Sequence, residues 1–574
     1  MPEPLASPEP LPDLLRRAQM HHARSELAAA KALYRHILER EPTNAPALGL
    51  LALILVNRPD DPEAEAIILR HLALRPNDGA SLHALGQLRA YAGNDTQAVS
   101  LFLRAIQWLP GLAPIHNDLG VSLSRLGRAP EALAAFERAA AIDPAYAAAY
   151  GNRAAVLADL GRFSEAFDTF RTTLAATDPA ASEARAPILD GLARTACKGG
   201  RVREAEAILQ AEVAAGRDNV DVIEPLSLVL ERLRRPDEAL TLRNDLARRM
   251  GVQRSGPADA EITVLVLGGV GAGHVPIRYL LDASVFATRS VSLLSPDQSD
   301  APLGAIDFHG LGQVDVIFST LGDIDRGGGQ FEAATALCAR LGLPVINPPA
   351  AIERTGRDKA AALFGDIPGL ITPVVSRMTR EGLGALPIDA PLLARPAGDH
   401  GGDNLVLLSS DADRTAWLAD QTADQLLVSP FHDFASVDGL WRKYRLIFID
   451  RQVYPYHLAI GEHWLVHYWR TEMGRADWKM AEEQRFLADW RGVFGPVAAR
   501  AAEAVARRLD LDYGGMDCAL MADGRLLLFE ANACMLVHLD EPIQTFAYKH
   551  QYVPPIREAF TRMVRARAGA IGRS

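Results

Sequence analysis

The order of apolar and polar positions divides the chain into an N-terminal and a C-terminal region. In the N-terminal region a single apolar pattern returns every 34 residues, and in the C-terminal region short apolar runs alternate with polar and glycine-rich stretches. A repeat of this length is typical of paired helices, whereas the alternation indicates strands with helices between them. The polar segment QRSGPADA, at residues 253–260, separates the two regions.

The repeat of the N-terminal region places small, large and proline residues at fixed positions. The small residues let two helices approach, the large side chain fills the gap, and the proline ends the pair. The pattern resembles the tetratricopeptide repeat, which implies an all-α solenoid. We expect it to span residues 21–250 after a disordered tail at residues 1–20. The positions in register are Ala30, Ala64, Ala98, Ala132 and Ala166, then Tyr34, Ile68, Phe102, Phe136 and Phe170, and finally Pro42, Pro76, Pro110 and Pro144.

Arrays of this kind present a concave groove that commonly binds peptides or proteins. The resemblance therefore implies a peptide or protein partner in the groove. The alternative is that the array only dimerises the protein or braces the domain that follows it. The repeat pattern contains no chemistry of its own, so the sequence leaves both interpretations open.

The charge, the apolar runs and the cysteines limit the kinds of partner and the cellular compartment that we expect for the protein. The formal net charge of −11 argues against a nucleic-acid or anionic-membrane partner, and the longest apolar run, near residues 45–56, is too short to span a bilayer. The start, MPEPLASPEPLPDLL, lacks the features of a signal peptide. We therefore expect a cytoplasmic protein. Its cysteines form no CxxC motif and are expected to be reduced thiols: Cys197, Cys338, Cys518 and Cys534.

The C-terminal region begins with a strand, a glycine-rich turn and a helix start, EITVLVLGGVGAGHVP. Together with DVIFSTLGD and LPVINPP it predicts a parallel α/β domain over residues 260–349. Gly269, Gly271 and Gly273 raise the alternative of a nicotinamide or flavin site. Their spacing is GxGxG rather than GxGxxG, and no acidic residue ends a strand about 20 residues later. A tight strand-to-helix turn is therefore the preferred interpretation.

A hairpin near the C-terminus carries the clearest chemical signal. In MDCALMADGRLLLFEANAC, residues 516–534, a two-residue Asp-Gly loop places Asp517 opposite Glu530. Because side chains alternate along a strand, Asn532 lies on the same face. Opposed carboxylates repel each other, and two carboxylates with an amide oxygen suit a hard divalent cation such as Mg²⁺. The alternative is an acid pair solvated at a sheet edge.

Two further segments carry cations that suit phosphate. The segment TGRD matches a capping box, which predicts a helix with Lys359 in its first turn, beside free backbone N–H groups. Arg395 ends a strand before the glycine-rich loop at residues 398–402, whose N–H groups can close over phosphate. The alternative for both cations, and for His400 in the loop, is a solvated side chain.

Four motifs follow one another between residue 261 and the C-terminus: VINPP with a following DK, LARP with an HGG loop, RKYRLIFID, and D-x12-E-x-N. Together they resemble the ATP-grasp ligases. The resemblance implies an α/β pre-ATP-grasp domain over residues 260–349 and an α+β ATP-grasp domain over residues 350–574, with ATP and Mg²⁺ as cofactors. One departure is Arg395, because the family usually has lysine there and the two cations differ in geometry.

The resemblance also implies roles for individual residues. His467 and Arg470, with His457 nearby, are candidates for binding a substrate carboxylate or assisting the nucleophile, and the alternative is that the histidines belong to the core. Cys518 and Cys534 are interpreted as packing residues. The implied ATP-binding residues are Lys359, Arg395, Gly401, Gly402, Val428, Phe431 and Asp433, the implied metal ligands are Asp517, Glu530 and Asn532, and the implied contact of the transferring phosphate is Arg445.

The reaction implied by the resemblance has two steps. A substrate carboxylate attacks the γ-phosphate of ATP to give an acyl phosphate, and an amine then displaces the phosphate. Such chemistry needs positioning and charge neutralisation rather than a protein nucleophile. The first alternative is a non-catalytic scaffold whose C-terminal region binds nucleotide for a structural or sensing purpose. A nicotinamide-dependent oxidoreductase is the second alternative.

Overall fold

The chain folds into two compact units. The computed structural model describes residues 9–56, 61, 63–269, 275, 277–294, 308–322, 324–398, 402, 404–421, 423–468, 471, 473–539 and 545–569. The first unit runs to Ala239 and includes Thr545, and the second unit contains the other described residues. No helix in the described ranges is both long and apolar enough to cross a membrane.

The first unit is a series of antiparallel helix pairs. Within three successive pairs the turn contains a glycine with positive φ: Gly93, Gly127 and Gly161, at +72°, +72° and +73°. These glycines lie 34 residues apart and permit the left-handed conformation that ends the first helix of each pair. The helices up to the boundary of the unit, and the one that crosses it, are α1 (Leu11–Ala23), α2 (Leu27–Arg40), α3 (Ala45–Leu55), α4 (Ala64–Leu74), α5 (Gly79–Tyr91), α6 (Asp95–Trp108), α7 (Ala113–Arg125), α8 (Ala129–Ile142), α9 (Ala147–Asp159), α10 (Phe163–Ala176), α11 (Ser182–Gly199), α12 (Val202–Ala214), α13 (Val220–Arg232) and α14 (Pro236–Met250).

The predicted alternation of small and large residues is confirmed in the core of this array. Ala132 and Phe136 on α8 are buried, and the Phe136 ring lies directly against Gly120 on α7. A Cβ atom at Gly120 would lie 2.6 Å from Phe136 Cε1, so only glycine allows this approach. Phe102 fills the same place opposite Gly86 in the preceding pair.

The segment expected to be a disordered tail is helical from residue 11 onward. Leu14 and Ala18 of α1 are buried in the same apolar cluster as Tyr34 of α2. The apolar positions of α1 therefore have a partner to pack against, which compensates for the entropy of ordering the segment. Residues 1–8 lie outside the described residues.

The second unit begins with a five-stranded sheet of strand order β1-β3-β2-β4-β5. Its last four strands are parallel, as predicted, and β1 is antiparallel at the edge. Gly269 ends β2, and a Cβ there would overlap the side chain of Gln330. Gly271 and Gly273 of the GxGxG segment lie outside the described residues. The strands are β1 (Gln253–Ser255), β2 (Ile262–Gly269), β3 (Phe286–Leu293), β4 (Val316–Ser319) and β5 (Val345–Ile346).

Two more sheets follow in the second unit. One is antiparallel with the order β7-β10-β8-β9, and the other has the order β12-β11-β13-β14-β6, in which only β6 is parallel to its neighbour. We call them the second and the third sheet. Their strands are β6 (Leu370–Ile371), β7 (Ser376–Thr379), β8 (Leu392–Pro396), β9 (Val406–Leu408), β10 (Gln425–Pro430), β11 (Trp441–Ile449), β12 (Gln452–Gly461), β13 (Tyr513–Leu520) and β14 (Leu526–Asn532).

Helices cover one face of the third sheet. Tyr444 of β11 and Cys518 of β13 pack with Phe494 of α22 in the main apolar core, which leaves the opposite face of the sheet for polar residues. The helices of the second unit are α15 (Phe308–Leu311), α16 (Ile324–Leu341), α17 (Pro349–Ile352), α18 (Ala360–Phe364), α19 (Arg380–Ala385), α20 (Asp411–Asp420), α21 (Asp477–Ala488), α22 (Trp490–Leu509), α23 (Lys549–Tyr552) and α24 (Pro554–Ala568).

A buried asparagine joins the first sheet to the third. Asn347, just after β5, has φ of +54° and is fully buried. Its side-chain N–H donates to Tyr513 O over 2.7 Å, and its Oδ1 accepts from Tyr513 N over 2.9 Å. The Asn347 backbone N–H donates to Asp512 Oδ2. The amide thus replaces a strand neighbour at the start of β13 and fixes where that strand begins.

We predict opposite effects for alanine at two helical glycines of the first unit. Gly120→Ala should lower the apparent free energy of unfolding by about 1–3 kcal/mol, because its methyl group enters the space of the Phe136 ring. Gly151→Ala on α9 should raise it by about 0.5–1 kcal/mol, because nothing lies within 4 Å of its added Cβ and alanine favours the helix. Thermal unfolding followed by circular dichroism measures both, and equal shifts would contradict the prediction.

Candidate functional site

A row of polar side chains crosses the third sheet from strand to strand. His457 of β12 pairs with Arg445 of β11, Arg445 pairs with Asp517 of β13, and Asp517 pairs with Glu530 of β14. Directly paired residues of an antiparallel sheet project from the same face. The sequence-based prediction that Asp517 faces Glu530 is therefore confirmed.

The loop of this hairpin differs from the prediction by one residue. Met521 N donates to Arg525 O, so three residues form the loop instead of two, and the third of them, Gly524, has φ of +82°. Because the loop is one residue longer, the first strand pairs after it are shifted by one residue, and Cys518 pairs with Leu528. A β-bulge between this pair and the Asp517–Glu530 pair adds one residue to β14 and restores the predicted register.

The bulge also decides which face Glu530 occupies. Leu526 and Leu528 of β14 belong to the apolar core beside α22. With regular alternation, Glu530 and Asn532 would follow them into that core. The extra residue at the bulge reverses the alternation, so that Glu530 and Asn532 line a cavity on the other face together with Asp517. A one-residue irregularity thus brings the three predicted metal ligands together.

Asp517 is fully buried and lies between two cations. Arg445 donates to both of its oxygens, over 2.6 Å from Nε and 2.9 Å from Nη2, and Lys443 Nζ lies 2.6 Å from Oδ2. Burial alone would raise the pKa of Asp517, but the positive charges of Arg445 and Lys443 outweigh it and hold this pKa well below its usual range. Asp517 is therefore ionised, with both oxygens engaged.

Glu530 has a cation from a different part of the chain. Arg357 donates to Glu530 Oε2 over 2.8 Å from Nη2 and 3.3 Å from Nε. Burial and the Asp517 charge raise the pKa of Glu530, whereas Arg357 lowers it, and the net direction is downward. No local pattern points to Arg357, which lies 173 positions from Glu530 and two positions before the lysine of the DK motif.

A buried polar cluster supports the other end of the row. His457 stacks on Tyr468 with ring centroids 4.6 Å apart, and Lys549 Nζ lies 4.2 Å from the centre of the Tyr468 ring. Glu483 accepts hydrogen bonds from Tyr468 and Tyr548 and lies 3.6 Å from Lys549 Nζ. Burial, followed by the charges of Arg445 and Lys549, lowers the pKa of His457 well below 6.5, so this imidazole is neutral at pH 7.

A cavity of about 320 Å³ lies over the polar row, and its described lining comes from both the second and the third sheet. Arg395 and Leu427 form a directly paired row on the second sheet and both line it. The charged lining residues are Arg357, Arg395, Lys443, Arg445, Asp517 and Glu530, and the large apolar ones are Val375, Leu393, Leu405, Leu427, Phe431, Phe434, Trp464, Leu465, Val466, Leu527, Leu528 and Phe529.

The structure brings most of the predicted site residues together and leaves three of them elsewhere. Gly401 and Arg470 lie outside the described residues, as does His400 of the predicted phosphate loop. Lys359, Val428 and Asp433 do not belong to the described lining of the cavity. The predicted residues that line it are Arg395, Gly402, Phe431, Arg445, His467, Asp517, Glu530 and Asn532.

Lys359 lies outside the cavity because the predicted capping box does not form. Thr355 Oγ1 donates back to Ile352 O, and a short 3₁₀ turn (Arg357–Lys359) precedes the five-residue α18. The exposed Lys359 side chain donates to Glu353 O over 2.8 Å. The tighter turn places Arg357 rather than Lys359 toward the carboxylates, so the predicted helix start is wrong, and the role of Lys359 in ATP binding stays a prediction.

Val428 and Asp433 also lie outside the described lining of the cavity. Val428 is buried in the apolar core on the other face of the second sheet, because side chains alternate along β10 and its neighbours Leu427 and Ser429 take the cavity side. Asp433 is exposed, and its Oδ1 accepts hydrogen bonds from Trp441 Nε1 and the Ala435 backbone. It caps a local turn.

The two cysteines of the hairpin region have different surroundings. Cys518 is fully buried in the apolar core, as predicted, and burial raises the pKa of its thiol far above the usual range. Cys534 is only partly buried and lines the cavity, contrary to its interpretation as a packing residue. All four cysteines are free thiols, as predicted.

The donor set of the cavity fits a hard divalent cation on one condition. Asp517, Glu530 and Asn532 present oxygen atoms on one wall, and Mg²⁺ prefers such donors. Within the described ranges, no group of three or more His, Cys, Asp or Glu side chains gathers as a metal site, so the amide of Asn532 has to complete the set. The condition is that Arg357 releases Glu530.

Comparisons with known proteins match a tetratricopeptide-repeat family in the first unit. Residues 21–88 match the family described as tetratricopeptide repeat. TTC0263, a thermophilic TPR protein of Thermus thermophilus, has 22% identity and a TM-score of 0.28, covering 32% of this chain and 99% of its own. The pilF protein of Pseudomonas aeruginosa has 18% identity and a TM-score of 0.31, covering 40% and 95%. No curated protein matches the chain. The family match and the observed helix pairs show tetratricopeptide repeats in the N-terminal region.

We predict that Asp517→Asn lowers the apparent free energy of unfolding of the second unit by about 3–5 kcal/mol, because Arg445 and Lys443 lose their buried counter-charge. Urea unfolding followed by tryptophan fluorescence measures this, since six of the seven tryptophans lie after residue 240. Asp523→Asn, in the exposed loop of the same hairpin, is the matched control and should change little.

We also predict that the stability difference between wild type and Asp517→Asn depends on pH. Because the pKa of Asp517 is lowered in the folded protein, its ion pairs stabilise the fold fully above the usual carboxyl value of 3.8 and lose this contribution as the pH falls below it. The stability difference between wild type and Asp517→Asn should therefore be constant from pH 5 to 7 and shrink below about pH 4. A difference that grows on acidification would contradict the assignment.

Proposed function

We propose that the protein is a cytoplasmic ATP-dependent ligase that activates a substrate carboxylate as an acyl phosphate and joins it to an amine. The second unit would then be an ATP-grasp fold after an α/β pre-ATP-grasp domain. The observation that carries the proposal is the charge of the cavity. Four cations and two carboxylates line it, which leaves two positive charges for an anionic ligand. A nucleoside triphosphate meets this requirement.

The apolar part of the cavity supports a ligand with a flat ring. Leu427 of β10 and Phe431 just after it lie on the cavity side, and the rings of Phe431 and Trp464 are 5.7 Å apart in an edge-to-face arrangement. Apolar walls with a few convergent polar groups are typical of small-molecule sites. An adenine ring would pack against these side chains while its phosphates reach the cations.

The reaction requires neutralised charge and fixed positions. Arg395 approaches from the second sheet, and Arg445 and Lys443 approach from the third, so phosphate between the sheets would meet cations on both sides. Arg445 is held in place by its paired bonds to Asp517, which orients the guanidinium before a ligand binds. Mg²⁺, when bound, would supply further positive charge to the phosphates.

Asn532 and Glu530 are the residues we expect to hold Mg²⁺, with Asp517 beside them. Asn532 Oδ1 accepts from Cys534 N, which fixes the amide orientation. His467 lines the same cavity and is the candidate for contact with the substrate carboxylate or the amine. His457 does not belong to the described lining and lies beside Arg445 on the neighbouring strand.

We also propose that the helical array holds a polypeptide partner of the reaction. Polar side chains bridge successive first helices of the pairs: Asp118 of α7 accepts from Gln87 of α5, and Asn152 of α9 donates to Asn117 of α7. Amides and carboxylates in such a row can exchange these bonds for a peptide backbone. The alternative, an array that only dimerises the protein, predicts no binding of peptide substrates by the isolated protomer.

We predict that Arg395→Ala weakens ATP binding by about tenfold or more, because it removes a charge-assisted contact in the cavity. Isothermal titration of the full chain with ATP and Mg²⁺ measures this. Arg491→Ala, on an exposed ion pair of α22, is the control and should bind like wild type.

Phosphate release then separates an enzyme from a scaffold. The full chain with ATP and Mg²⁺ is challenged with pooled amino acids, small carboxylates and peptides, beside an Asp517→Ala/Glu530→Ala double variant. Release that depends on one pool and vanishes in the double variant establishes a ligase. ATP binding without release from any pool favours the non-catalytic scaffold, and binding of NADH in place of ATP would overturn the proposal.

A further inference from the structure

The ion pair of Arg357 with Glu530 is more open to exchange on its carboxylate side than the ion pair of Arg445 with Asp517. The Glu530 side chain is 25% exposed and the Asp517 side chain is 0% exposed, whereas the two arginines are similar, at 16% for Arg357 and 19% for Arg445. The two hydrogen bonds that Arg357 donates to Glu530 end on the same oxygen, Oε2, while Arg445 engages both oxygens of Asp517. A partly solvated pair on one oxygen is weaker than a buried pair on two.

The backbone that carries Arg357 is also less firmly held than the backbone that carries Arg445. Arg445 extends from the middle of β11 between paired strands on both sides. Arg357 begins a three-residue 3₁₀ turn between short helical segments, where fewer backbone hydrogen bonds fix it. The sheet therefore holds the Arg445–Asp517 pair as a fixed element, and the turn can reposition the Arg357 side chain.

We infer that Arg357 is an exchangeable counter-ion, which releases Glu530 to a divalent cation and turns to the phosphates of a bound nucleotide. The inference rests on the proposed function, since it names how that site takes its two ligands. Once Glu530 is taken by a metal, the guanidinium faces a cavity that also contains Arg395, Lys443 and Arg445, so an anion is its favourable partner. Metal and nucleotide would then each strengthen the binding of the other.

The test uses Arg357→Gln in the full chain and measures each ligand alone. Mn²⁺ without nucleotide, followed by electron paramagnetic resonance, should bind about three- to tenfold more tightly to the variant, because Glu530 no longer has a competing cation. ATP without metal, followed by isothermal titration in the presence of a chelator, should bind about tenfold more weakly. The two affinities thus move in opposite directions, which a general loss of structure does not produce.

Two further variants control the result. Arg354→Gln changes an exposed arginine one turn earlier, outside the described lining of the cavity, and should leave both affinities as in wild type. Arg357→Lys keeps the charge and should restore most of the wild-type Mn²⁺ and ATP affinities. Parallel losses of both affinities in Arg357→Gln, or no change in either, would overturn the inference.

The outcome also separates this inference from the proposed function. If wild type binds no ATP, the proposed function fails, and inorganic pyrophosphate then serves as the anionic probe. Tighter Mn²⁺ binding and weaker pyrophosphate binding in Arg357→Gln would still support the exchange. If wild type binds ATP and the variant binds it equally well, the exchange fails while the proposed function stands.

Discussion

The site depends on one buried carboxylate. Asp517 lies in the middle of the third sheet, fully out of solvent, and is stable there because Arg445 and Lys443 engage its two oxygens. A charge in this position fixes the two cations in turn, since the loss of either one would leave the buried Asp517 less well compensated. The orientation of Arg445 toward the cavity follows from this arrangement. Its positive charge in turn adds to burial in lowering the pKa of His457, the next residue of the row.

Around this fixed centre the cavity combines elements of different rigidity. The third sheet supplies Asp517 and Arg445 from central strands, where hydrogen bonds on both sides hold the backbone. The second sheet supplies Arg395 and Leu427 as one row. Arg357 comes from a short turn and pairs with the more exposed Glu530. A cationic wall held by paired strands and one cation on a short turn would suit the proposed site, which takes two ligands of opposite charge.

The sequence predicted that Asp517 faces Glu530, and the structure confirms this pair but corrects the loop length and adds a β-bulge. The Asp-Gly signal indicates a tight turn, but whether the loop has two or three residues depends on how the strands twist and pack. The bulge in β14 has no local signal, because it forms where Leu526 and Leu528 are needed in the core and Glu530 is needed in the cavity. For a similar reason Arg357, rather than Lys359, lies beside the carboxylates. A 3₁₀ turn stands where a helix start was expected.

The sequence by itself determined the helical array, the parallel sheet and the carboxylate hairpin, because these follow from periodicity and from turn residues that act over a few positions. It also determined the order in which the cationic and the acidic site residues follow one another along the chain. Only the tertiary structure decided which cations meet which carboxylates. Arg357 and Glu530 are 173 residues apart, and the buried cluster of Glu483 and Lys549 joins segments that no local pattern connects. Such contacts depend on how sheets and turns pack, which is a property of the whole fold.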